Sequence, residues 1–199
     1  MRRKRRRRPP AARRRRLLVG GGVVAAGVVA GVSLGLLGKV DKAIQELTLP
    51  LRHEDVIRQQ AADKDVDASL IAAVIYAESR FSDQTSHAGA RGLMQITPMT
   101  AKEIERLSGG TTFKLDDLSD PELNIRYGTF YLGALLNRYG GNEIAALAAY
   151  NAGSGNVDRW GGSAVELGGI QFPETRAYVE DVLDKQRSYR DEYARELGY

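Results

Sequence analysis

The sequence predicts an all-α domain, mainly helical with at most a small β element, placed behind an N-terminal transmembrane helix. Three observations lead there. From His53 onward apolar residues recur at spacings of three and four, the period of one helix face. No stretch shows convincing period-two alternation. Helix punctuation recurs: Thr97-Pro98, Asp120-Pro121, Asn142 and Pro173 read as starts, and Gly109-Gly110 and Gly140-Gly141 as stops.

The elements follow in order. Residues 1–16 carry eleven Lys or Arg and no acid, and residues 17–37 carry no charge at all. A helix over 17–37 rises roughly 30 Å, enough to span a bilayer core. Positive charge ahead of it predicts a cytoplasmic N-terminus and an extracytoplasmic C-terminal domain. The competing reading is a cleaved signal peptide, against which stand the segment's length and the lack of an Ala-x-Ala site. Gly27, Gly31 and Gly35 fall on one face of the span and offer a weak homodimer contact of the small-xxx-small kind. Residues 38–52 read as a stalk, and 53–199 as the folded domain.

Within that domain, Val56, Ile57 and Gln60 begin a short helix. Asp67 caps the next one, which carries Leu70, Ile71, Val74, Ile75 and Glu78. The segment from Ser82 to Ile96 is a loop with room for a small β element. Helices follow from Pro98 and Pro121, the second with Leu123, Tyr127, Phe130, Tyr131, Leu135 and Leu136 as its apolar side. A short Ala-rich helix ends at Tyr150-Asn151. Gly153 to Gly169 reads as a Gly-rich loop around Trp160, the single tryptophan. A last helix carries Tyr178, Val179, Val182 and Leu183.

Composition narrows the function. The net charge of +4 averages two unlike parts: removing the eleven charges of the tail leaves −7 for residues 17–199. A basic tail can bind nucleic acid or lie beside a membrane. The uncharged span directly behind it favours the membrane, and no nucleic-acid partner is expected. With no cysteine, disulfides and thiolate chemistry are excluded. With only His53 and His87, a His-based zinc site is not expected, nor is another metal or a cofactor.

Glu78 stands out. Ile71, Val74 and Ile75 precede it at i−7, i−4 and i−3, so its carboxylate shares their apolar face. Burial there would raise its pKa and suit it to give a proton to a leaving oxygen. Spacing alone favours the plainer reading, a Glu at a helix end that is paired or tipped into solvent. Downstream, Gly89 and Gly92 flank Ala90-Arg91 ahead of Leu93-Met94-Gln95. Glycines let backbone approach a ligand closely, and Gln95 can both donate and accept. Leu93 and Met94 are equally well placed as core.

Glu78-Ser79-Arg80-Phe81, Ser86-His87-Ala88-Gly89-Ala90-Arg91-Gly92-Leu93-Met94-Gln95, Ala146-Leu147-Ala148-Ala149-Tyr150-Asn151-Ala152-Gly153 and Phe172-Pro173-Glu174-Thr175-Arg176-Ala177-Tyr178-Val179 occur in this order. Together with Asn124-Ile125, Gly128 and Tyr131-Leu132, they resemble the lytic transglycosylase SLT domain, over about residues 53–190. The resemblance implies a goose-type lysozyme-like fold and a peptidoglycan substrate. It implies cleavage of the β-1,4 bond between N-acetylmuramic acid and N-acetylglucosamine, closing a 1,6-anhydro ring. It makes Glu78 the single catalytic acid/base and places Ser86, Met94, Gln95, Tyr150, Asn151 and Glu174 around the substrate. Tyr150 would hold the Glu78 carboxylate or the reacting sugar, and Glu174 would order the site. Ser154 departs from the family's usual Pro after Asn-Ala-Gly, which touches loop stiffness and not chemistry. The alternatives are a hydrolytic muramidase of the same fold and a wall-binding module without turnover.

Overall fold

The computed structural model describes residues 44–87, 89–110 and 114–199. The tail, the expected anchor over 17–37 and the Gly27, Gly31 and Gly35 stripe lie outside the described residues. Among those described, no helix is long and apolar enough to cross a membrane. The chain divides into two compact units, Met1–Thr48 and Leu49–Tyr199. Of the first, residues 44–48 are helical, where the sequence suggested only a stalk.

The second unit is helical. Its elements are α1 (Glu54–Lys64), α2 (Ala68–Ser79), α3 (Pro98–Ser108), α4 (Pro121–Arg138), α5 (Glu143–Ala152), α6 (Ser154–Trp160), α7 (Pro173–Glu192) and α8 (Ala194–Leu197). Short 3-10 turns occupy Leu115–Ser119, Gly162–Ala164 and Leu167–Gly169. Among the described residues, β structure is limited to two single antiparallel bridges, Thr85 with Arg91 and Arg91 with Ile96. The architecture is all-α.

The caps explain where the helices begin. Asp67 accepts from the backbone N–H of Ser69 and Leu70 ahead of α2, Thr97 from Thr100 ahead of α3, Asp120 from Leu123 ahead of α4, and Asn142 from Ala145 ahead of α5. Each supplies an acceptor to N–H groups that have none within the helix.

Helix α2 is the centre of the fold. Ala68 to Ile75 are all buried, so it is wrapped on every side and is not amphipathic. Its most extensive neighbour is α7, while α4 packs on α1 and α5, and α5 also packs on α6 and α7. The buried face of α4 is Asn124, Ile125, Gly128, Thr129, Tyr131, Leu132, Gly133 and Leu135. That differs from the purely apolar stripe expected, because Asn124 and Gly128 face the loop ahead of α3, while Gly133 lies against Lys64 at the end of α1 and Val66 just beyond it. The Gly-rich stretch after Gly153 also differs from expectation. It forms α6, pinned by fully buried Val157 and by Asn156 Nδ2 donating to the Ala152 carbonyl. Trp160 ends that helix and packs edge-on against Phe172, ring centroids 4.9 Å apart. Tertiary burial outweighs the weak helix propensity of glycine there.

Candidate active site

Glu78 sits in the last turn of α2. Arg80 (φ 52°) and Phe81 (φ 59°) follow in the left-handed region, costly for residues with a Cβ. Phe81 is buried and packs against Tyr189 at 6.1 Å. This packing holds the abrupt reversal that leaves Glu78 at a helix end facing a cleft. The residue is half-buried overall, and its carboxyl end is the enclosed part. Burial pushes its pKa up to about 7, against a hydrogen bond from Tyr178 that favours the charged form. Tyr178, on α7, donates from its hydroxyl to Glu78 Oε1 at 2.8 Å.

Glu78 lines a cleft of about 180 Å³ together with Ala90, Gln95, Thr97, Thr100, Tyr150 and Asn151. Thr97, Thr100, Tyr150 and Asn151 also border a wider groove of about 660 Å³ that runs past Met99, Glu103 and Tyr131. Among the described residues Glu78 is the sole acid of the cleft. Glu103, in the groove, is paired with Arg106 at 2.9 Å.

The opposite wall is the loop from Thr85 to Ile96. Gly92 is held at φ 71°, and an added Cβ would lie 2.2 Å from Asn124 Nδ2 and 2.5 Å from the Leu118 carbonyl oxygen. Asn124, fully buried, clamps the turn. Its Nδ2 donates to the carbonyls of Arg91 and Leu118, and its Oδ1 accepts from Met94 N–H at 2.7 Å. Gln95 stands in the left-handed region (φ 45°), its Nε2 donating to the Gln84 and Gly92 carbonyls. The group it retains for a ligand is its Oε1 acceptor.

The structure brings Glu78, Gln95, Tyr150 and Asn151 to one cleft. Tyr150 donates to the Met94 carbonyl at 2.9 Å, joining α5 to the loop wall; the bond to the Glu78 carboxylate belongs to Tyr178. Burial, with Glu78 nearby, holds both phenols protonated as donors, well above the usual tyrosine range. Asn151 Oδ1 accepts from Thr175 Oγ1 at 2.8 Å. The Met94 side chain does not face the cleft. It is fully buried, and a Cβ on Gly128 would lie 2.3 Å from its sulfur, so it is core and reaches the site only through its carbonyl. Ser86 stands in the loop, accepting from Ala90 N–H at 3.1 Å. Glu174 is exposed in the first turn of α7, and neither it nor Ser86 lines the cleft. In the sequence Tyr178 falls on an apolar helix face and in the last of the resembling segments, and nothing in its spacing points to a carboxylate partner 100 residues away. Among the described residues no three His, Cys, Asp or Glu side chains cluster to hold a metal ion.

Residues 55–172 match the family model "Transglycosylase SLT domain". The chain belongs to this family. It is 36% identical over 168 residues to a soluble lytic murein transglycosylase of Salmonella typhimurium, covering 80% of this chain and 26% of that protein. It is 33% identical over 167 residues to a membrane-bound lytic murein transglycosylase C of Edwardsiella ictaluri, covering 70% of this chain and 46% of the relative. Its fold matches the X-ray structure of an inactive mutant of the lytic transglycosylase Slt from Pseudomonas aeruginosa, a glutamate-to-glutamine variant, with a TM-score of 0.69 and 34% identity, over 75% of this chain and 26% of that one. The chain thus spans about a quarter of the length of the soluble relatives.

Proposed function

We propose that the domain is a peptidoglycan lytic transglycosylase. In this reading it cleaves the β-1,4 bond between N-acetylmuramic acid and N-acetylglucosamine, with Glu78 as acid and then base. The observation that carries it is half-buried Glu78, poised near pH 7 in a cleft with no second carboxylate among the described residues. Glycosidases that use water or form a glycosyl-enzyme ordinarily need two such groups. One acid suffices if the nucleophile belongs to the substrate. Protonated Glu78 gives its proton to the glycosidic oxygen as the bond from C1 to that oxygen breaks. The C6 hydroxyl oxygen of the muramic acid then bonds to C1, and the Glu78 carboxylate takes the hydroxyl proton. The products are a 1,6-anhydro end and a free 4-hydroxyl, and Glu78 is protonated again. Tyr178 steadies the carboxylate between the two steps, while Gln95 and Asn151 offer an acceptor and an amide to the sugars.

The membrane is the proposed location: the uncharged span over 17–37 anchors the chain once, with the domain on the extracytoplasmic side facing the wall. The relative from Edwardsiella ictaluri is named as membrane-bound, and the eleven positive charges before the span support that orientation. One preparation tests both parts. The full chain, recovered with the membrane fraction, should release anhydro-muropeptides from purified peptidoglycan. Glu78→Gln should lower that release at least roughly a thousandfold, the scale of removing an essential acid/base. Reducing ends in place of anhydro ends identify a hydrolytic muramidase. Full activity of Glu78→Gln would sink the catalytic assignment, and recovery of the full chain in the soluble fraction would sink the anchor.

A further inference from the structure

We propose that Thr175 is a positioning residue that sets which end of the Asn151 amide faces the substrate. The proposal rests on the saccharide reading of the cleft given above. Asn151 lies in the last turn of α5 and lines both the cleft and the wider groove. A side-chain amide carries an acceptor at one end and two donors at the other, nearly alike in shape. Packing alone therefore chooses poorly between its two orientations, and a polar neighbour must choose.

Thr175 is that neighbour. It is 1% exposed, and its Oγ1 donates to Asn151 Oδ1 at 2.8 Å. A helical threonine ordinarily returns its hydroxyl to the carbonyl four residues earlier. Here that residue is Gln171, which precedes the first turn of α7 beginning at Pro173. The Thr175 hydroxyl is thus released from its own helix and spans to α5. The hydroxyl could also accept from a reversed amide, but its buried proton would then lose the acceptor that Oδ1 gives it, which is costly, so the bond holds Oδ1 toward Thr175. With Oδ1 engaged, Nδ2 is the end left for the cleft, and its N–H groups call for acceptor oxygens: an acetamido carbonyl, a ring ether or a hydroxyl. Gln95 shows the reverse choice across the cleft, its Nε2 tied to backbone and its Oε1 left over. A sugar lying between them meets a donor on the helical side and an acceptor on the loop side. An N-acetyl group, with one carbonyl and one N–H, suits this pair.

The test uses the full chain in detergent, carrying Glu78→Gln so that bound sugar is not turned over. Affinity for a β-1,4-linked N-acetylglucosamine trimer is measured by calorimetry with Thr175 intact, with Thr175→Val and with Thr175→Ser. Valine keeps the shape and loses the hydroxyl, and is expected to weaken binding about tenfold, the scale of one lost hydrogen bond. Serine keeps the hydroxyl and should restore affinity to within about threefold. Melting temperatures should be similar for all three. In the active protein, Thr175→Val should raise KM about tenfold and leave the pH profile of kcat in place. Equal loss with serine and valine, no loss with valine, or no binding of the trimer to the parent protein would each overturn the positioning role. Absence of anhydro products from the active protein would instead overturn the lytic reading, and the binding series would still decide Thr175.

Discussion

The two walls of the cleft are built on opposite principles. The helical wall supplies Glu78, Tyr150, Asn151 and Tyr178 from the ends or faces of α2, α5 and α7, and each rests on a broad apolar interface around α2. The loop wall, Thr85 to Ile96, has two single bridges among its described residues and a set of local polar bonds, with Asn124 tying the Arg91 carbonyl and the Met94 N–H to α4. The walls meet where Tyr150 donates to the Met94 carbonyl. Redundant packing spreads the loss of any one contact over many neighbours. The loop wall also buries Leu93, Met94 and Ile96 in the core, but the backbone of its turn at Arg91 and Gly92 leans on one asparagine and one missing Cβ, and there it has no such reserve. The molecule thus stores its proton chemistry on redundantly packed helices and its ligand-shaping turn on a few specific contacts.

Gly92→Ala is the largest expected break in this contrast. It combines a positive φ with a Cβ placed inside Asn124 and against a backbone carbonyl, which cannot swing aside. Overpacking and an unsuitable φ together should cost roughly 2–4 kcal/mol, read as a lower urea midpoint with unchanged slope. Lytic activity should fall further than stability, because the turn also carries Gln95. A variant with wild-type midpoint and activity would show that the loop wall is as forgiving as the helical one.

Glu78→Gln probes the opposite wall without reference to turnover. Folding raises the Glu78 pKa from 4.5 to about 7. Below pH 4.5 the group is neutral in folded and unfolded chains alike. As pH rises from there the unfolded chain gives up the proton first, so stability is lost until the folded form also ionises near pH 7. Glutamine carries no charge to bury and still accepts from Tyr178. The variant should therefore match the parent at pH 4 and exceed it by roughly 1–3 kcal/mol at pH 8, from about 1.4 kcal/mol per pKa unit and a group still partly open to water. Equal stability at pH 8 would mean that the helical wall does not desolvate its acid.

The same contrast governs what could be read from sequence. Helix starts were legible because a cap is a local device: Asp67, Thr97, Asp120 and Asn142 act within three residues of themselves. Helical period puts Glu78 on the apolar face yet by itself favours a paired or solvent-tipped carboxylate, and only the downstream segments argue for an enclosed one. Asn124 as the loop's clamp was not, because its partners lie 30 and 33 residues away and an asparagine inside a helix looks like surface. Tyr178 hid in the same way, as one more apolar residue on α7. The Gly-rich stretch after Gly153 misled because local propensity is weak against the burial of Val157. Met94 shows the converse: both readings of it were open in the sequence, and only the neighbouring Gly128 decides for the core.

The smallest effect is the most informative about chemistry. Tyr178→Phe removes one hydroxyl from the helical wall and leaves the ring's packing intact. Its hydrogen bond favours charged Glu78 and so opposes burial. Without it the pKa must rise above about 7, by roughly one unit if a bond to a charged group contributes about 1.5 kcal/mol. General acid action requires the protonated form, so the alkaline limb of the kcat profile should move to higher pH by about that amount. The second step, in which the carboxylate takes the C6 hydroxyl proton, loses its support, and the plateau rate should fall several-fold. A lower plateau with an unmoved limb would mean that Tyr178 orients Glu78 without setting its proton affinity. A limb displaced toward acid would mean that the Tyr178 hydroxyl favours the neutral acid, against its role as donor to the carboxylate.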